Sequence, residues 1–206
     1  MSPWHLPDGY RSQRPVQYID HPQAVEWQPD VIDFAADLAR LADCTTLIDL
    51  GCGFARKLIP LKGLRKVGAD LPEVLDFVSH VAGVDWIETN LSDDALPYEL
   101  LTAASSSVVV CSDVIEHLWD PTPLLHHFHS LIEAGASAVV VSTPDRSRGG
   151  DADGNGPPSN GAHAREWSLD ELTDLLAEWR FTIGHAGHTR SNDASDLQAT
   201  SLVVIS

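Results

Sequence analysis

Cysteine is scarce. Cys44, Cys52 and Cys111 are the only three in 206 residues, and none stands in a CxxC pair. Three cysteines cannot frame a disulfide scaffold, and their spacing argues against a structural zinc site, so a reducing compartment is expected. No apolar run approaches the ~18 residues that a membrane-spanning helix needs. The opening Met1-Ser2-Pro3-Trp4-His5 lacks the basic-then-apolar order of a secretory leader. A cytoplasmic protein with no membrane insertion is the expectation. Lysine is nearly missing, with Lys57, Lys62 and Lys66 beside ten arginines, which reads as the codon bias of a GC-rich genome. Positive charge is short overall: 13 Lys and Arg face 30 Asp and Glu, for a formal net charge of −17. Such a surface repels phosphate backbones and anionic lipid. Nucleic acid is therefore not the expected partner, and a neutral small molecule such as a sugar fits better. Self-association into a homo-oligomer stays open.

What is present suits one globular domain spanning residues 1–206. A hydrophobic content of 43% with 21% charge argues against wholesale disorder. Residues 1–44 read as an irregular arm, punctuated by Pro3, Pro7, Pro15, Pro22 and Pro29, and then a helix at about Asp30–Leu41. In that helix Val31, Phe34, Leu38 and Leu41 recur at helical spacing. From Thr45 short apolar strands alternate with helices. Strands are expected at 45–50, 66–70, 84–88, 107–111 and 138–142, with helices at 54–64, 72–82 and 122–133. This rhythm predicts βαβ units and a mostly parallel sheet covered on both faces. The stretch 144–167 is rich in Gly, Pro, Asp and Ser and is expected to be a substrate loop or lid. Ser168-Leu169-Asp170-Glu171 then opens a helix with a capping box. Segments 181–183 and 200–205 close the chain as an antiparallel hairpin.

The strongest motif is Ile48-Asp49-Leu50-Gly51-Cys52-Gly53-Phe54-Ala55, a strand entering a glycine turn. Such a turn brings backbone N–H groups against a ligand. The dinucleotide pattern GxGxxG fails, because Arg56 holds its third glycine position. That disfavours a nicotinamide-dependent oxidoreductase. The second strand ends at Asp70, 19 residues after Gly51, where a carboxylate suits ribose hydroxyls. A second block runs Cys111-Ser112-Asp113-Val114-Ile115-Glu116-His117, and a third is Ser142-Thr143-Pro144-Asp145.

In this order the three blocks resemble the class I S-adenosylmethionine (SAM) methyltransferase superfamily. The Asp-Val-Ile-Glu-His stretch is similar to the ubiquinone-type and small-molecule members. The resemblance implies a Rossmann-like α/β fold with seven strands in order 3-2-1-4-5-7-6, the last antiparallel. It also implies S-adenosyl-L-methionine as cofactor. Gly51 and Gly53 would face its methionine end, with Asp49 ordering the turn and Cys52 chosen there for its size. Asp70 would bind the ribose, Leu71 would lie beside the adenine, and Asn90-Leu91 near the adenine edge. Asn90 stands where the family often has Asp. Ser112 would lie near the methionine group.

Asp113, Glu116 and His117 stand at i, i+3 and i+4, so one helical turn would set them on one face. Three readings stay open. The residues cap and pack their turn, they hold a divalent cation such as Mg2+ as in the ubiquinone-type enzymes, or His117 is a metal-free base with Glu116 beside it. His163-Ala164-Arg165-Glu166-Trp167 resembles a stretch of sugar-modifying methyltransferases. It makes His163, Arg165 and Trp167 acceptor-binding candidates together with Asp145. Against this, Trp167 would simply staple the next helix and Arg165 pair with a carboxylate. His126, His127 and His129 lie on an amphipathic helix and are expected to face solvent.

The leading expectation is a SAM-dependent O-methyltransferase acting on a sugar or short saccharide. A methyltransferase of a quinone, phenol or amine is the alternative, and a non-catalytic SAM-binding regulator is a further class.

Overall fold

A computed structural model describes residues 25–148 and 156–206; the arm before residue 25 and the middle of the expected lid lie outside the described residues. Helix α1 (Val31–Leu41) leads into β1 (Thr46–Leu50) and β2 (Arg65–Asp70). Then come α2 (Pro72–Val78), β3 (Asp85–Glu88), α3 (Tyr98–Ala104) and β4 (Ser107–Ser112). A single 3₁₀ turn at Ile115–His117 precedes α4 (Thr122–Glu133), β5 (Ala136–Pro144), α5 (Leu169–Glu178), β6 (Ile183–Thr189) and β7 (Thr200–Ile205).

The strands form one seven-stranded sheet in the order β3-β2-β1-β4-β5-β7-β6, as the resemblance implies. β1 to β5 pair in parallel, and β7 runs antiparallel to both β5 and β6. The central strands are buried on both faces and carry apolar residues on each. Ile48, Leu50, Val109 and Cys111 point into the layer of α3, α4 and α5, while Leu47, Val108 and Val110 point into the layer of α1. Leu50 pairs with Ala69 on one side and Cys111 on the other, so three strands end level. The strand order reverses between β1 and β4, and that is where an open parallel sheet leaves a crevice beyond its strand ends.

Several local expectations are corrected. No helix forms over 54–64: Ala55 adopts a left-handed φ of 50°, and Pro60 lacks the N–H a continuing helix needs. The stretch is a chain of turns, pinned by the Lys66 ammonium donating to Ile59 O. Helix α3 was not foreseen, since seven residues after Pro97 carry little periodic signal. Strand β6 begins at Ile183 rather than Phe181, whose ring instead stacks on His129. His127 is 2% exposed and His129 half-buried, not solvent-facing, because His127 falls among the buried residues of α4 and His129 Nε2 meets Trp179 O at 2.9 Å. The capping box of α5 is present as expected, Glu171 N donating to Ser168 Oγ and Ser168 N to Glu171 Oε2.

Candidate active site

The site grows from the turn after β1. Gly51 has φ 72°, and a Cβ there would lie 2.4 Å from Val114 Cγ2, so only glycine lets the turn close beneath Val114. Gly53 N donates to Asp70 Oδ2 and Leu71 N to Asp70 Oδ1, each at 2.7 Å. Two backbone donors thus orient the carboxylate. Asp49 is buried at the end of β1; burial pushes its carboxyl up to about 7, despite the nearby Lys57. All nine residues that the resemblance places around the donor line one cavity of about 630 Å³: Asp49, Gly51, Cys52, Gly53, Asp70, Leu71, Asn90, Leu91 and Ser112. That volume is in the range of small-ligand sites. Asn90 spends its side-chain carbonyl on Ser92 N, capping the turn at the cavity wall.

The segment before α1 closes one side of the cavity and was not foreseen. Gln28 is 1% exposed with φ 48°. Its Oε1 accepts from Ser112 Oγ at 3.1 Å and Ser142 Oγ at 2.6 Å, and its Nε2 donates to Asp113 Oδ1 at 2.8 Å. Nothing local marks a glutamine 84 residues from its partner Ser112. Trp27, 45% exposed, and Trp119 also line the cavity.

Asp113 lies in the cavity wall with φ 60°, ahead of the 3₁₀ turn. Within that turn Glu116 points inward and is 0% exposed, with the side chains of Asp113 and Thr143 against its carboxyl. Burial and then the Asp113 carboxylate push the Glu116 carboxyl well above its ordinary range. Burial, then His163, lowers the pKa of His117, which favours a neutral ring. His117 Nδ1 faces Ala162 O at 3.0 Å, so Nδ1 carries the proton and Nε2 the lone pair.

His163 joins this group. Asn160 Oδ1 accepts from Ala162 N, which turns Asn160 Nδ2 toward His163 Nε2 at 2.9 Å. His163 Nε2 is therefore an acceptor, and Nδ1–H donates to Glu166 Oε1 at 2.7 Å. One donor atom from each of Glu116, His117 and His163 lies within 4.8 Å of the others. His117 has its far nitrogen fixed by an oxygen partner, the arrangement that aims a ring at a cation, whereas the Nε2 lone pair of His163 accepts from Asn160, whose amide must swing away for a cation to bind there. Asp113 is not in this trio; it is held by Gln28 instead.

The other acceptor candidates are placed differently. Trp167 is 1% exposed and packs in the core under the Arg165 guanidinium, 4.2 Å from its ring centre. The staple reading describes Trp167 better than an acceptor platform does. Asp145 is buried away from the cavity. It accepts from Ser147 N and Oγ, Ser201 Oγ and Leu169 N, with His188 Nε2 at 2.7 Å. It knots β5, β6, β7 and α5 together, leaving no room for an acceptor hydroxyl.

A model of the methyltransferase-domain family matches residues 10–198, and the chain belongs to that family. The seven-stranded sheet and the glycine turn after β1 agree with that family. The chain is 33% identical over 165 residues to a probable S-adenosylmethionine-dependent methyltransferase, Rv3030, of Mycobacterium tuberculosis, covering 73% of this chain and 57% of that one. It thus spans little more than half the length of this curated relative. The fold is also similar to the methyltransferase domain of bacterial CtHen1 (TM-score 0.64, 17% identity, 86% of this chain and 97% of that one). A third likeness is the glycopeptide N-methyltransferase MtfA complexed with S-adenosyl-L-homocysteine (TM-score 0.62, 14% identity, 92% and 90%). No helix among the described residues is long and apolar enough to cross a membrane.

Proposed function

We propose that this chain transfers the methyl group of SAM to a hydroxyl of a sugar or short saccharide, with a divalent cation held by Glu116, His117 and His163. The observation that carries the reading is the Glu116 carboxylate. It is fully buried beside the imidazoles of His117 and His163, one ligand atom of each of the three lying within 4.8 Å of the others. A buried carboxylate left so is costly unless something binds it. A sugar hydroxyl is a very weak acid, and a bound cation supplies the lowering of its pKa that makes it nucleophilic. The chain's own residues do the rest. Glu116 would supply the charge once a cation displaces the proton that burial makes it keep, Ala162 O and Glu166 hold the two rings in one tautomer, and Asp113 flanks the group from the cavity wall. Trp27 and Trp119 offer indole faces of the kind that stack on a sugar ring. The net charge of −17 favours an uncharged acceptor.

A phenol hydroxyl would use the same cation, so catechol belongs in the test; an amine would need none. The experiment is a mass-spectrometric assay with SAM and a panel of free sugars, catechol, a short RNA and a primary amine, with and without EDTA. The expected result is transfer to a sugar, abolished by EDTA and restored by Mg2+ or Mn2+. In parallel, Mn2+ near 100 times its Kd should raise the melting temperature by about 5–10 °C in the wild type and not in Glu116→Gln. EDTA-resistant transfer lost in His117→Ala would replace the cation by a base at His117, and transfer to RNA or amine alone would overturn the acceptor class.

A further inference from the structure

Asn160, an exposed residue, reaches the group formed by Glu116, His117 and His163. Its polar groups all serve Ala162 and His163. Asn160 O accepts from His163 N at 3.1 Å, Oδ1 accepts from Ala162 N at 3.0 Å, and Nδ2 donates to His163 Nε2 at 2.9 Å. The last bond covers the lone pair that a cation would take from this ring. It also agrees with the partner on the other side of the ring. Glu166 Oε1 accepts from Nδ1–H, so His163 is held in one tautomer from both ends. The two partners of the Asn160–His163 bond differ in freedom. His163 is 8% exposed, its ring centre lies 4.9 Å from that of His117, and Ala164 N beside it donates to Glu116 O at 2.6 Å. The Asn160 amide can turn into water and find hydrogen bonds there. An incoming cation therefore displaces Asn160 and leaves the ring where it stands.

We propose that Asn160 is a built-in competitor of the cation: its amide guards the Nε2 lone pair of His163, presets the tautomer that the ion needs, and is exchanged for the ion on binding. The proposal rests on the cation reading above and deepens it, by naming a residue that sets how tightly the ion is held. The Nδ2–Nε2 bond has to break before the ion takes the lone pair, so its net worth is subtracted from the affinity. Asn160 acts through His163 and is a positioning residue.

The test is a calorimetric titration of the full chain with Mn2+ in chelator-free buffer. Asn160→Ser keeps a short side-chain oxygen for Ala162 N and has no N–H for His163. It should bind Mn2+ about 3- to 10-fold more tightly than the wild type, the net worth of one neutral hydrogen bond that no longer has to break. Asn160→Asp, isosteric and also without the donor, should tighten Mn2+ at least as much. A merely structural Asn160 would leave the affinity unchanged or lower it in both variants, and either result overturns the proposal. His163→Ala should weaken Mn2+, and adding Asn160→Ser to it should change nothing further, because the guarded lone pair is gone. A gain of equal size with and without His163 would place the effect of Asn160 elsewhere and overturn the proposal. S-adenosylhomocysteine binding as in the wild type shows that each variant is folded. Mn2+ that binds neither the wild type nor the Asn160 variants would overturn the cation reading and the proposal together. Mn2+ binding that is lost in Glu116→Gln but indifferent to Asn160 would overturn the proposal alone.

Discussion

The side-chain amide of Gln28 donates to Asp113 Oδ1 at 2.8 Å, joining the segment ahead of α1 to the residue that follows β4. The same amide accepts from Ser112 and Ser142, so one buried side chain ties together the ends of β4 and β5 at the rim of the cavity. Truncating Gln28 to Ala strands two buried hydroxyls and releases Asp113. Urea unfolding of Gln28→Ala should show a loss of about 2–4 kcal/mol. Ser142→Ala removes one bond from the same hub and should cost about 1 kcal/mol. Equal stability of Gln28→Ala and wild type would mean that the hub does not form in solution.

Asp70 is oriented by Gly53 N and Leu71 N before any ligand arrives. A pre-oriented carboxylate accepting two ribose hydroxyls makes a strong, charge-assisted pair of contacts. Asp70→Ala should weaken S-adenosylhomocysteine by about 1.5–3 kcal/mol in a calorimetric titration, and NAD should not bind the wild type. Undiminished affinity in the variant would move the ribose site elsewhere.

Two buried carboxyls give the stability opposite pH slopes. Asp49 is raised from 3.8 to about 7, so between these values the folded state holds a proton that the unfolded state has released. Its contribution is complete below about pH 4 and declines as the pH rises to about 7. Asp145 goes the other way: burial opposes ionisation, but hydrogen bonds from Ser147, His188 and Ser201 prevail and hold it at about 2. Its contribution is complete above 3.8 and is lost as the pH falls through 2. Chemical unfolding across pH should therefore show Asp49→Asn flattening the decline between pH 4 and 7. Asp145→Asn should flatten the loss on the acid side. A wild-type profile that rises from pH 4 to 7 and is unchanged by Asp49→Asn would show that Asp49 ionises normally.

The sequence by itself determined the strands and the glycine turn that opens the cavity. Strands such as 46–50 and 107–112 are mostly apolar on both faces because both faces are buried, and that demand is written locally. The Gly51–Gly53 turn and Asp70 are legible for a similar reason: a tight turn needs glycine, and an acid closing the next strand sits at a set distance along the chain. The Asp113–His117 block was legible as a cluster but not as a geometry. Helical spacing put three side chains on one face, whereas Asp113 takes φ 60° and only a 3₁₀ turn follows.

Tertiary structure alone decided who meets whom. His163 comes to Glu116 and His117 because the 160–166 segment folds onto the turn, Ala164 N and Arg165 N both donating to Glu116 O. Gln28, Trp27 and Lys57 meet because a segment ahead of the first helix lies back across the glycine turn. Asp145 and Trp167, which read as acceptor contacts, became a hydrogen-bonded knot and a core side chain once neighbouring elements closed over them. Backbone preference and burial act over a few residues and so leave a periodic trace in the chain. Hydrogen bonds between residues far apart in sequence leave none, because their geometry exists only after the sheet has brought the strand ends together.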